Sequence, residues 1–138
     1  MNEKLRCIIV ASGGALGYLF GGLDILIEVF AMILIIDTIT GMLKHYSLGT
    51  YESKKFRQGL VKKSGYMLAI ILSVQLDKIM GSTGALRSAL LFLLISNEGT
   101  SIIENLGEIG VPFPEPIINS IAILRNKSKD NSNNNSTK

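Results

Sequence analysis

Tryptophan is absent from the chain, and its 138 residues hold one cysteine, one histidine and three prolines. A single thiol, Cys7, excludes an intramolecular disulfide; set in an apolar block, it reads as a small buried hydrophobe. One histidine, His45, cannot build a Cys/His cluster with metal spacing. There is no Gly-rich phosphate loop of Walker type and no nucleophile with a plausible base. The expectation is therefore a protein without catalytic residues, cofactor or metal. A net charge of +3 could serve nucleic acid, but the basic residues are not gathered on an amphipathic or aromatic-rich surface, so no nucleic-acid partner is expected.

What the chain has instead is long apolar runs. Ile25 to Leu43 contains only two charged residues, Glu28 and Asp37, in nineteen positions. As a helix rising 1.5 Å per residue it reaches roughly 28 Å, about the thickness of a bilayer's hydrocarbon. A carboxylate near the middle costs about 2.5–3.5 kcal/mol, whereas each Leu, Ile, Phe or Val returns roughly 0.3–0.6. Eleven such residues outweigh Asp37, so the segment is expected to insert. Asp37 then needs a reason to be there.

Three further apolar blocks run from about Leu5 to Leu23, Leu60 to Met80 and Ala85 to Ile103. A cleaved amino-terminal signal is disfavoured, because apolar character continues through Leu19, Phe20 and Leu23 without a small-x-small end. The third and fourth blocks have short uncharged cores, Ser64–Leu76 and Ser88–Asn97. They read as spans with snorkelling Lys62, Lys63 and Arg87, or as a shallower hairpin. If all four cross, the amino terminus, the Lys44–Lys63 connection and the carboxyl terminus share one side and hold twelve of the fourteen basic residues. The positive-inside rule makes that side the cytoplasm. A three-span arrangement is the alternative.

The expected fold is an all-α integral membrane protein, a bundle of four transmembrane helices over residues 1–110. Residues 111–125 form a Pro-rich turn and a short amphipathic helix, with Ile117, Ile118, Ile121 and Leu124 on one face, lying on the membrane surface or on a neighbour. Residues 126–138 are polar, low-complexity and expected to be disordered.

Within the blocks, Gly13, Gly17 and Gly21 recur every fourth residue, a spacing that lets helices approach closely within one chain or between copies. Asp37, Thr40, Gly41 and Lys44 share a helix face. Glu28 is about half a turn out of phase with Asp37. Asn97, Glu98, Ser101, Glu104 and Asn105 recur at helical steps as a polar stripe, suited to a pore wall or to a helix leaving the membrane. Structure and assembly account for Asp37 better than ion conduction does.

Several segments taken in order resemble the phage lysis and toxin-secretion holins of Gram-positive, often clostridial, origin. They are Asp37-Thr38-Ile39-Thr40-Gly41, Ser53-Lys54-Lys55, Gly59-Leu60-Val61-Lys62-Lys63, Leu76-Asp77, Leu86-Arg87, Asn97-Glu98, Ser101-Ile102-Ile103-Glu104-Asn105 and Gly110-Val111-Pro112-Phe113-Pro114. The resemblance covers about residues 25 to 118. It implies a small multi-pass protein that accumulates in the bacterial cytoplasmic membrane and forms homo-oligomers. It then opens lesions through which an endolysin, or in relatives a large toxin, leaves as cargo. An antiholin or membrane interaction protein shares these features, and a small proton-coupled transporter is a third reading.

Overall fold

The computed structural model describes residues 2–50 and 52–134. Five helices follow one another: α1 (Glu3–Phe20), α2 (Ile25–Ser47), α3 (Ser53–Met80), α4 (Ala85–Glu108) and α5 (Glu115–Asn134). No strand occurs among the described residues. Local chemistry explains the boundaries. α1 stops at Gly21, whose φ of 73° is the left-handed turn a glycine adopts without strain. Asp24 then caps α2, its carboxylate accepting the Ile27 N–H at 3.2 Å. α3 ends at Gly81, and α5 begins only after Pro112 and Pro114 have prevented α4 from continuing.

α4 is the hub: α2, α3 and α5 pack against it, whereas α1 rests chiefly on α3. The core joins Phe30 and Leu34 of α2, Ile70 of α3, and Leu91, Leu94 and Ile95 of α4. Phe30, Ile70 and Leu91 are sealed from solvent, so side chains fill the centre and leave no channel there. No residue of α1 is buried.

Much of the apolar surface faces outward. On α3, Leu68, Leu72, Leu76 and Ile79 are exposed at helical spacing, and on α2 so are Ile25, Met32, Ile35 and Ile39. Stripes of this length belong against lipid or another protein rather than water. Among the described residues two helices, α2 and α4, are long and apolar enough to cross a membrane, α2 being the more apolar. Four spans were expected. α3, though 28 residues long, carries five basic residues in its first half and is not apolar enough along its length, and neither is α1.

The carboxyl end departs further from expectation. α5 does not end near residue 125; its helix continues to Asn134, and residues 135–138 lie outside the described part. It doubles back along α4, with Ile121 against Gly99 and the Lys127 ammonium 5.2 Å from the Phe92 ring. Farther along, Arg125, Ser128 and Lys129 border a groove with Leu86, Ala89, Leu90 and Leu93. Periodicity located the helix's apolar face but not its end, because the composition of Asn126–Asn134 favours solvent while packing on α4 favours helix.

Candidate functional site

Three helices bring charge to one point inside the bundle. Lys63 of α3 sets its Nζ 2.8 Å from Asp37 Oδ2 of α2 and 2.9 Å from Glu98 Oε2 of α4. It also donates to the Leu34 carbonyl at 3.3 Å, which occupies the third ammonium hydrogen. All three charged side chains are largely buried. The remaining lone pairs are taken up locally. Tyr66 donates to Glu98 Oε1 at 2.9 Å, and Asn105 approaches Asp37 Oδ1 at 3.4 Å. Ser101, one turn beyond Glu98 on the same face of α4, lies near Asp37.

Such a cluster makes sense only as a unit. Isolated, each carboxylate in apolar surroundings would be costly; sharing one cation, they cross-link α2, α3 and α4. A cleft of about 170 Å³ opens beside it, lined by Asp37, Gly41, His45, Phe56, Gly59 and Lys63 among others. Lower on the same side, Lys44 pairs with Glu108 at 2.7 Å.

A second cluster closes the opposite end. The buried Arg87 guanidinium grips Asp24 with both arms, at 2.7 and 2.9 Å, and donates to the Phe20 carbonyl at 2.6 Å and that of Gly22 at 3.2 Å. These bonds hold the Asp24 carboxyl below the ordinary carboxylate range. Gly21 lies directly beneath: a Cβ there would meet Val74 Cγ2 at 3.0 Å and Arg87 Cδ at 3.1 Å. Asp77, also buried, caps α4 by accepting the Leu86 and Arg87 N–H groups at 3.1 and 2.9 Å, and it takes the Ser82 hydroxyl as well. One end therefore ties the α1–α2 turn to the α3–α4 turn.

The residues singled out from sequence separate into two groups. Asp37, Thr40, Glu98 and Ser101 do converge: Thr40 is buried, bonds to the Asp37 carbonyl at 3.1 Å and lies 3.5 Å from Asn105. Asn97 and Glu104 face outward instead, so the polar positions of α4 do not form one stripe. Of Gly13, Gly17 and Gly21, the first meets nothing within 4 Å, the second only Leu23 at 3.8 Å, and the third is packed against side chains of α3 and α4. Lys63 and Arg87 do not snorkel to an interface; both turn inward to carboxylates. The rule that buried charges pair could have found Lys63, the last cation before the uncharged Ser64–Leu76 stretch. Among the described residues, no group of three or more His, Cys, Asp or Glu is placed to hold a metal ion.

Comparison with known proteins gives this arrangement a family. Residues 14–126 match the bacteriophage holin family. An uncharacterized protein of Listeria innocua is 35% identical over 130 residues, covering 94% of this chain and 93% of its own length. An uncharacterized protein of Bacillus subtilis is 35% identical, with 85% and 83% covered. The probable holin of Bacillus phage phi105 is 36% identical over 110 residues, 80% of this chain and 81% of that one. No solved structure matches the chain. The matched segment runs from within α1 into α5 and contains both ion clusters, and on this ground the chain belongs to the bacteriophage holin family.

Proposed function

We propose that the protein acts as a holin: a non-enzymatic protein of the bacterial cytoplasmic membrane that self-associates and opens lesions for a cell-wall-degrading endolysin or a large toxin. The observation that carries this reading is the outward turn of the apolar helix faces around a filled core. A bundle whose centre is occupied by Phe30, Ile70 and Leu91 gives a folded cargo no way through one copy. Lesions then arise between copies, and only 17% of the apolar window of α2 is buried within its own chain. That face, with Leu68, Leu72 and Ile79 of α3, is available to lipid and to neighbours.

The topology that goes with this function crosses the membrane four times, with both termini and the α2–α3 connection in the cytoplasm. The distribution of basic residues supports it. So does the pairing of ends: Arg87–Asp24 joins the α1–α2 and α3–α4 turns, and Lys44–Glu108 lies at the other end. The Asp37–Lys63–Glu98 cluster serves as the internal cross-link that holds three helices together until copies associate.

Controlled expression in a bacterium tests the function, following membrane potential and release of a folded cytoplasmic enzyme. Abrupt loss of both is expected; normal growth and potential at high membrane levels of the protein would overturn it. Reporter fusions after Ser82 and Lys138 test the topology, with opposite sides expected for the two.

A further inference from the structure

α4 is bound on one side in a way that its length and composition oppose. It is apolar enough to cross a bilayer, yet α5 covers the face that carries Ala89, Phe92 and Gly99. The part of α5 beside Leu86–Leu93 is its polar part: Arg125, Lys127, Lys129 and Asp130 are all exposed there. Lys127 folds onto Phe92, seven residues and about 10 Å inward from the first residue of α4. With α4 across a bilayer and α5 seated, three cations and a carboxylate would stand against hydrocarbon. In the opposite direction, the contact is closely made. The Cβ position of Gly99 lies 3.0 Å from Ile121 Cδ1, Leu124 packs against the central core, and Ser128 is buried.

We propose that α5 is a removable strap: it and the transbilayer position are alternative states of α4, and its departure uncovers a face that α4 of a second copy then occupies. The second copy is indicated by the shape of the face, which already receives one helix at contact distance over Gly99 and has Ala89 two turns or more away. Once released, the basic residues of α5 return to water and to anionic headgroups on the cytoplasmic side. The strap thereby restrains the self-association on which the holin reading depends, and this inference rests on that reading.

Two measurements on the full-length chain test it, both in a Cys7→Ser background. In the first, Lys127→Cys is labelled with a membrane-impermeant maleimide in right-side-out and inside-out vesicles. Reaction at least tenfold faster from the cytoplasmic face is expected; protection on both faces, or faster reaction from outside, would overturn the strap. In the second, Gly99→Cys and Ile121→Cys are combined, the second change removing the atoms that a Cβ at 99 would strike. Once a non-reducing gel shows the disulfide, oxidised protein should release at least tenfold less of a folded cytoplasmic enzyme, with release restored by reductant. Equal release in both redox states would sink the proposal. If the Cys7→Ser parent itself releases nothing, the holin reading fails, and the labelling still decides where α5 lies.

Discussion

Lys63 Nζ and Glu98 Oε2 lie 2.9 Å apart, although 35 residues separate them, and the same ammonium is 2.8 Å from Asp37. One cation thus stands between two acids from different helices. Lys63→Met would leave Asp37 without a counter-charge and Glu98 with only the more distant, exposed Lys62 at 3.9 Å, a loss of about 3–5 kcal/mol for a broken buried pair. The expected outcome is a markedly lower melting temperature of the detergent-solubilised protein by far-UV circular dichroism. Combining Lys63→Met with Asp37→Asn and Glu98→Gln should recover most of it, since no charge then remains unpaired. An unchanged melting temperature in Lys63→Met alone would remove the role given to this cluster.

Gly21 and Gly13 should respond in opposite ways to alanine. At Gly21 the left-handed backbone costs about 1–2 kcal/mol, and the new methyl must also displace Val74 or Arg87. At Gly13 there is open space and helical backbone, so alanine should stabilise the isolated chain by up to about 1 kcal/mol. Thermal melts of the two variants distinguish these. Changed crosslinking between copies in Gly13→Ala, with the fold intact, would show that α1 meets a neighbour there.

Acid should loosen the Arg87 clasp. Asp24 has a folded pKa depressed below its ordinary value of 3.8, first by the Arg87 hydrogen bonds. Its contribution is therefore complete above pH 3.8 and is lost as pH falls through the lower, folded value. Because the carboxylate is half exposed, solvent screens the effect and the change is modest. The test compares stability between pH 5 and pH 2 in the parent and in Asp24→Asn. The parent should lose more on acidification, and identical slopes would contradict the assignment.

Asp77→Ala should fray the start of α4. The cap is worth about 1–2 kcal/mol, and its removal leaves the Leu86 and Arg87 amides without their acceptor. Hydrogen exchange at those two amides should accelerate well beyond that of Leu91. Equal protection in the variant would mean that another acceptor replaces the carboxylate.

The order of the helices and the breaks between them were legible in the sequence, because Gly21-Gly22, Gly81 and the Pro112–Pro116 run interrupt long apolar stretches; α3 nevertheless starts seven residues before its apolar block and α4 ends five residues after its own. Asp37 and Glu98 were legible as polar groups where apolar ones belong. Their meeting was not, since phase along one helix says nothing of which helix lies opposite. Lys63 and Arg87 were misread as interfacial because a cation beside an apolar stretch has two low-cost options, reaching outward to water or inward to a carboxylate. Only tertiary placement chooses between them. The reach of α5 was misjudged for a related reason: Asn, Ser and Lys weaken an isolated helix, and the surface of α4 compensates.

The joint between α4 and α5 governs how α5 can move. Pro112 and Pro114 hold their own φ near −65° and keep Val111 and Phe113 extended, so four consecutive residues behave as a stiff rod. Gly110, at φ 88°, is the residue next to that rod with freedom to rotate. α5 is thus hung like a door on one pivot rather than trailing on a slack tether. Its departure would follow an arc set by the orientation of Gly110, and its return would bring Ile121 back to the same place on Gly99.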